Sequence, residues 1–246
     1  MKAVLADPRI LKSSIDAISN MIDEASIVVS QEGIALRAMD PAHVALVDFK
    51  MEKEAFEEYT IEETLTLGID LDRLNTILKR AGSSDRITLT PGGAGDALRI
   101  TLSNSATRNF ELPLIDVGEE ELRVPELEFS ARVEIDPKVL SESIKDAEIV
   151  SDHVTLRVDG EAFYISARGD LGNVEVRVEK DRTLSFSCEE PCRSMFSIEY
   201  LKDMVKAGDI ASTVRINLGN DIPVKLDFLA PGVSLSFLLA PRIESE

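Results

Sequence analysis

The stretch LKSSIDAISNMIDEASIVVSQEGIALRA, Leu11 to Ala38, returns without a gap as LSESIKDAEIVSDHVTLRVDGEAFYISA, Leu140 to Ala167. At this spacing of 129 positions Leu11 aligns with Leu140, Ser14 with Ser143, Ile15 with Ile144, Ile27 with Leu156, Val29 with Val158, Glu32 with Glu161, Ile34 with Phe163, Leu36 with Ile165 and Ala38 with Ala167. The first part of the stretch places Leu11, Ile15, Ile18 and Ile22 at helical spacing, and the last part alternates through Ile34, Leu36 and Ala38 with period two. A second stretch aligns at a spacing of 127, pairing Leu74 with Leu201, Leu78 with Val205, Lys79 with Lys206, Ile87 with Val214 and Leu89 with Ile216. Each half of the chain therefore carries two helices among many strands. Two copies of one helix-and-strand unit suggest a scaffold with rotational pseudo-symmetry. An enzyme more often shows one asymmetric cluster of reactive groups, and neither half offers one.

With 246 residues, 44% of them hydrophobic, the chain has room for two domains with ordinary cores. It holds no apolar run of about 18 residues, and MKAVLADPRIL at its start has only a short apolar stretch, so a membrane span and a signal peptide are both unexpected. The reading places the protein in the cytoplasm. Cys188 and Cys192 do not make a disulfide framework, as befits a reducing compartment.

Strands are expected where apolar residues alternate: Val154, Leu156, Val158; Phe163, Ile165, Ala167; Val174, Val176, Val178; Val214, Ile216, Leu218; and Val233, Leu235, Phe237, Leu239. Helices are expected over Asp7 to Ile22, Asp70 to Ala81, Asp136 to Glu148 and Glu199 to Ala207. Asp7-Pro8 and Asp136-Pro137 start two of them with an acidic cap and Pro at the first helical position. Turns fall at Gly33, Gly82-Ser83-Ser84, Pro91-Gly92-Gly93, Gly160 and Gly219-Asn220, which favours antiparallel connections.

Residues 116 to 128, DVGEEELRVPELE, belong to neither copy and hold six acids against one Arg. The expected organisation is a first domain over 1–115, a connector loop over 116–129 and a second domain over 130–246. A solvated acidic linker is the plain reading of the connector, but Leu122, Val124 and Leu127 place apolar residues in a segment without a core of its own.

The net charge of -18 argues against a nucleic-acid partner until its distribution is read. The four helical segments total 50 residues with nine basic and ten acidic side chains, whereas the other 196 residues carry 18 basic and 35 acidic ones. Arg9, Lys12, Arg73, Lys79, Arg80, Lys138, Lys145, Lys202 and Lys206 sit away from the apolar stripes. Solvated helix faces account for any one of these helices, while four related helices with the same bias fit a shared surface that meets DNA phosphates without reading sequence.

LRAMDPAHVALV from Leu36 to Val47, LRVPE from Leu122 to Glu126, SDHVTLR from Ser151 to Arg157 and the terminal FLLAPRIESE closely resemble the archaeal sliding clamps of the proliferating cell nuclear antigen family. The resemblance covers essentially the whole chain. It implies an α+β DNA clamp fold of two repeated domains, each with antiparallel sheets and two helices. Three subunits then form a ring-shaped trimer of six pseudo-equivalent units, with helices lining a central hole and sheets forming the outer wall. In such a ring the nine basic residues named above face the DNA.

The resemblance further implies a hydrophobic pocket beneath the connector that receives the PIP-box peptide of client enzymes. Its residues here are Met39, His43, Val44, Leu46, Leu122, Val124, Pro125, Ser197, Pro223, Leu238, Ala240 and Pro241. Leu238 stands where related clamps often carry an aromatic residue. Ring closure is expected through edge strands at Ser103 to Glu111 and Leu171 to Val178, with Arg108, Phe110, Val174, Val176, Arg177 and Val178 at the interface and ion pairs of Arg108 and Arg177 supplementing the backbone bonds. The implied partners are double-stranded DNA, DNA polymerase, the clamp loader replication factor C, flap endonuclease, DNA ligase and the chain itself, with no membrane and no cofactor, in the cytoplasm at the nucleoid of an archaeal cell. The implied function is a polymerase processivity factor and not an enzyme.

Other chemistry is weaker. Cys188 and Cys192 in CEEPC do not close a tetrahedral metal site, and His43 and His153 are remote in sequence, so no metal is expected; a local disulfide stays open. Pro91-Gly92-Gly93-Ala94-Gly95 lacks the Lys of a phosphate cradle and reads as a hairpin turn. A protein-interaction scaffold without nucleic acid fits the repeat but does not predict the helix charge bias, and a hydrolase with an unrecognised site has no supporting nucleophile.

Overall fold

Both halves of the chain lay down the same elements in the same order. In the computed structural model, which describes residues 1–93, 95–118, 122 and 125–242, the first half runs β1 (Lys2–Leu5), α1 (Arg9–Ile18), β2 (Glu24–Ser30), β3 (Gly33–Met39), β4 (Ala45–Glu52), β5 (Glu58–Thr60), β6 (Leu65–Asp70), α2 (Leu71–Leu78), β7 (Arg86–Gly92), β8 (Ala97–Ser103) and β9 (Thr107–Pro113). The second half runs β10 (Ala131–Ile135), α3 (Pro137–Glu148), β11 (His153–Val158), β12 (Ala162–Gly169), β13 (Gly172–Glu179), β14 (Ser185–Cys188), β15 (Cys192–Ser197), α4 (Ile198–Met204), β16 (Val214–Leu218), β17 (Val224–Ala230) and β18 (Val233–Leu239). A short 3-10 turn follows β4 at Lys53–Ala55 and follows β13 at Lys180–Arg182. This is an α+β fold of two repeated domains.

Sheet orders repeat as well. In the first half β5-β1-β7-β8-β9 form one sheet and β4, β3, β2 and β6 lie side by side; in the second, β14-β10-β16-β17-β18 and β13-β12-β11-β15 reproduce both orders. The paired strands β1–β7, β2–β3, β11–β12 and β12–β13 are all antiparallel, as the short turns within β2–β3, β11–β12 and β12–β13 require of those three pairs. Two compact units emerge: the described residues of Met1–Met39, Val47–Leu122 and Ala230–Leu235, and those of Asp40–Leu46, Arg123–Leu229 and Ser236–Glu246.

Period-two patterning builds each core. On β11, Val154, Leu156 and Val158 are fully buried, with Leu156 opposite Ile165 and Val158 opposite Phe163. The helices bury one stripe each: Leu11, Ile15 and Ile18 on α1, and Leu140, Ile144 and Ala147 on α3. Each large apolar side chain so buried contributes roughly 1.5 to 3 kcal/mol.

The helix starts follow local chemistry. Asp70 caps α2 by accepting from the Arg73 N–H at 2.9 Å, and Asp136 caps α3 by accepting from the Lys138 N–H at 2.9 Å with Pro137 in the first turn. At α1 the Asp7 carboxylate accepts from the Arg9 N–H at 2.9 Å, while Pro8 already has helical dihedrals and its carbonyl accepts from Lys12. The first helix ends at Ile18 rather than Ile22, because a turn closes there through Met21 and Ile22 N–H bonds to the Ile18 carbonyl. Met21 and Ile22 stay buried in that turn, which explains why they carry a helical apolar signature. The fourth helix likewise gives way to a 3-10 turn at Val205–Asp209. In the glycine-rich loop after β7, Gly95 N–H bonds the Gly92 carbonyl as a hairpin requires; Ala94 lies outside the described residues.

Candidate functional site

The loop joining β3 to β4 is organised by Asp40, a carboxylate only 3% exposed. One oxygen accepts from the N–H groups of Val44 (2.7 Å) and Ala45 (2.6 Å), and the other from the Ala42 N–H (3.1 Å) and the Tyr200 hydroxyl on α4 (2.7 Å). The backbone of Asp40 joins in, its N–H donating to Ala45 and its carbonyl accepting from His43, which has a positive φ of 57°. Burial pushes the Asp40 acid up, but the donors from Ala45, Tyr200, Val44 and Ala42 together outweigh it and hold the group below its ordinary value. Burial first, then the bond to Asp40, push the Tyr200 hydroxyl up to about 12. The β12–β13 hairpin of the second half needs no such device, since Asp170 and Leu171 alone join its strands and Gly172 takes a φ of 133°.

The second unit holds most of the residues expected in the peptide pocket. His43 is exposed, while Val44, Ser197, Pro223, Ala240 and Pro241 are half-buried and Pro125 is exposed. Leu46 and Leu238 are 4% and 5% exposed, so they belong to the floor beneath the surface rather than to the surface itself. The tail is fixed by bonds from the Ala240 N–H to the Val44 carbonyl (2.9 Å) and from the Arg242 N–H to the Met195 carbonyl (2.7 Å).

The first unit holds Met39 and Leu122. They line a shallow hollow of about 280 Å³ with Glu24, Ser26, Arg37 and Val117. Arg37 donates to the Leu122 carbonyl at 3.2 Å and to Asp48 at 2.9 Å, which pins the connector to the β3 face. Upstream, the Ile115 N–H bonds the Gly68 carbonyl at 3.0 Å, and a Cβ on Gly68 would lie 2.0 Å from the Ile115 oxygen. Only glycine admits the connector at this distance. Val124 lies outside the described residues, as do residues 119–121 and 123.

Of the nine basic side chains on the helical segments, six hold an acid: Arg9–Asp7, Arg73–Asp70, Lys79–Asp16, Lys145–Glu142, Lys202–Glu148 and Lys206–Asp203. Lys12 instead donates to the Ala81 carbonyl at 3.1 Å, beyond the C-terminus of α2, where a cation complements the helix dipole. Arg80 and Lys138 complete the set, both exposed. Exposed pairs of this kind are worth only about 0.2 to 1 kcal/mol, so they exchange readily for another anion.

The expected interface strands both lie at sheet edges: β9 ends the sheet β5-β1-β7-β8-β9, and β13 ends the sheet β13-β12-β11-β15. Phe110 on β9 and Val174 and Val176 on β13 are half-buried, and Val178 is buried. Arg108 is engaged within its own chain, donating to the buried Asp85 carboxylate at 2.6 Å and to the Arg80 carbonyl at 3.0 Å. The Gly82 N–H first, then Arg108, hold Asp85 below its ordinary value against the effect of burial. Arg177 bonds Glu179 at 3.1 Å and lies over the Tyr164 ring.

Sequence reading does not single out Asp40, Tyr200, Arg37 or Gly68. Asp40-Pro41 reads as a turn start, but its partner Tyr200 is 160 positions away. Cys188 and Cys192 are free thiols, and burial pushes Cys192 up to about 11. Among the described residues, no three His, Cys, Asp or Glu side chains are placed to hold a metal, and no helix is long and apolar enough to cross a membrane.

Two family models match this chain: the proliferating cell nuclear antigen N-terminal domain over residues 1–121 and the C-terminal domain of the same family over 123–243. A protein of Methanococcus maripaludis strain C5 described as a DNA polymerase sliding clamp is 40% identical over 243 residues, covering 96% of this chain and 97% of its own. Another so described, from Thermococcus gammatolerans, is 42% identical over 229 residues and covers 92% of each chain. The crystal structure of PCNA from Thermococcus kodakaraensis superimposes with a TM-score of 0.92 at 29% identity, covering 98% of this chain and 99% of that one.

Proposed function

This chain belongs to the proliferating cell nuclear antigen family, and from that premise we propose that it is a DNA sliding clamp: three copies close around duplex DNA and tether DNA polymerase for processive synthesis. The observation that carries this reading is the internal duplication, in which both halves repeat one order of elements and one pair of sheet orders. Each half also leaves edge strands, β9 in the first and β13 in the second among them, and these two differ in sequence. Pairing β9 of one copy with β13 of the next is a heterologous contact, which closes into a ring when the rotation per subunit divides the circle. Phe110, Val174 and Val176 supply half-exposed apolar surface for that seam, and Arg177 can re-pair there at little expense. Arg108 supports the seam from inside its own subunit through Asp85.

The helix cations Arg9, Lys12, Arg73, Lys79, Arg80, Lys138, Lys145, Lys202 and Lys206 face the DNA in this reading, and the contact is weak and sequence-blind because most of them already hold an acid. The division at a connector over 116–129, between domains of 1–115 and 130–246, belongs to the same reading. Client peptides of the PIP-box kind, from the clamp loader, flap endonuclease and DNA ligase as well as polymerase, dock at the Asp40-organised loop, the tail and the connector. The role is mechanical rather than catalytic, and its place is the cytoplasm at the nucleoid.

The test is retention on DNA. Loaded by a clamp loader onto a closed circular plasmid in high salt, the protein should stay bound until the plasmid is linearised, then slide off. Release from both forms, or persistence on both, would remove the clamp reading. Replacing Lys12, Lys79, Lys145 and Lys206 together by Ala should impair loading while leaving client-peptide binding intact.

A further inference from the structure

We propose that the outward face of β11, β12 and β15 binds a short, extended, acidic segment of a partner protein. A groove of about 580 Å³ opens on this face, and among its lining residues Arg157, Arg168 and Arg193 stand against a single acid, Glu175. In a chain of net charge -18 such a basic patch is unusual. Strand register explains how it arises. Arg193 sits opposite Arg157, Arg157 opposite Tyr164, and Tyr164 opposite Arg177, so one row across four strands carries three arginines and a tyrosine.

The inner members of that row are held rigid. The Arg157 guanidinium lies 3.5 Å above the Tyr164 ring and donates to Asp159 at 2.8 Å, while Arg177 takes the other flank of Tyr164 at 5.6 Å. Arg168 and Arg193, both exposed, extend the positive surface to either side of it.

The repeat indicates what kind of occupant suits this place. Positions 24, 26, 37, 38 and 39 of the first half correspond to His153, Thr155, Ser166, Ala167 and Arg168, all of which line the groove, and those first-half positions line the hollow in which Val117, Gly118 and Leu122 of the connector lie. There the covering segment is acidic in sequence, DVGEEEL, and Arg37 bonds its backbone at Leu122. The corresponding face of the second half is built from the equivalent strands, opens a larger hollow and carries more arginine. Four strands about 4.8 Å apart span roughly 14 Å, which an extended segment rising about 3.3 Å per residue crosses with four or five residues. Single-stranded nucleic acid suits the face less well: Tyr164 is only 8% exposed beneath Arg157, so no ring is free to stack a base, and Asp159, Glu175 and Glu179 would repel a continuous run of phosphates.

The experiment uses the full chain and a labelled peptide Asp-Val-Gly-Glu-Glu-Glu-Leu, followed by fluorescence anisotropy. Saturable binding that weakens with salt is expected, falling at least tenfold when the three Glu are replaced by Gln. The double variant Arg168→Glu/Arg193→Glu should bind at least tenfold more weakly with an unchanged melting temperature; should it fail to fold, Arg168→Glu alone should still lose several-fold. Absence of binding, equal binding by the arginine variants, or displacement of the peptide by an oligonucleotide that binds more tightly would each overturn the proposal.

Discussion

The outward faces of the two repeats occupy equivalent strands yet have little side-chain chemistry in common. On β2, β3 and β6 the row away from the core reads Ser26, Val28, Ala35 and Gly68, whereas the same positions on β11, β12 and β15 read Thr155, Arg157, Tyr164 and Met195. Inward, the repeats agree: Ile27 and Leu156, Val29 and Val158, Leu36 and Ile165 are all buried. The contrast teaches that duplication is preserved where side chains interlock in a close-packed core and is released where they meet solvent. Gly68 shows how far the release goes, since its missing side chain is what lets the connector run along β6.

The hairpin ends offer the sharpest way to break this comparison. Asp40→Ala strips Val44, Ala45 and Tyr200 of their acceptor and should destabilise the protein by about 2 to 4 kcal/mol, measured by denaturant unfolding, and weaken client-peptide binding. Nothing comparable should follow from Asp170→Ala in the tight β12–β13 turn.

Gly68→Ala comes next. Its Cβ would collide with the Ile115 carbonyl, so the variant should lose about 1 to 3 kcal/mol. Amide exchange at Ile115 should quicken as its bond to Gly68 opens, whereas Met195→Ala should leave Arg242 protected.

A pH titration probes the same loop. Because Tyr200 is raised to about 12 from an ordinary 10, its neutral hydroxyl stabilises the fold fully below pH 10, and that contribution disappears as pH rises from 10 to 12. Tyr200→Phe should cost about 1 kcal/mol at neutral pH and flatten this alkaline limb.

The smallest effect concerns two equivalent serines. Ser143 donates to the Val139 carbonyl at 2.7 Å, whereas the buried Ser14 hydroxyl has no hydrogen-bond partner among the described residues. Ser143→Ala should therefore lose about 1 kcal/mol, and Ser14→Ala should be neutral or slightly stabilising.

The duplication, the period of strands such as β3, β11, β12 and β18 and the acidic cap at Asp136 were legible in the sequence because they depend on neighbours a few residues apart, whereas Asp70 caps α2 without having been read as a cap. Helix ends were less so: Met21 and Ile22 continue an apolar rhythm after the backbone has turned away. What stayed hidden depended on distant partners. Asp40 has the composition of a turn, and its meaning comes from Tyr200. Arg108 looked available for a neighbouring subunit, but Asp85 claims it. The basic bias of the helices could be counted, whereas the acids that quench six of those cations could be seen only once folded. Arg193, Arg157 and Arg177 are scattered along the chain, and only strand register lines them up.

That quenching bears on motion. In the proposed clamp, a phosphate passing Lys79 or Lys145 would have to displace a carboxylate to be greeted, so arrival and departure would trade one feeble partnership for another. The energy profile along the duplex would then be nearly flat, with travel governed by hydrodynamic friction instead of by a staircase of sticky stops.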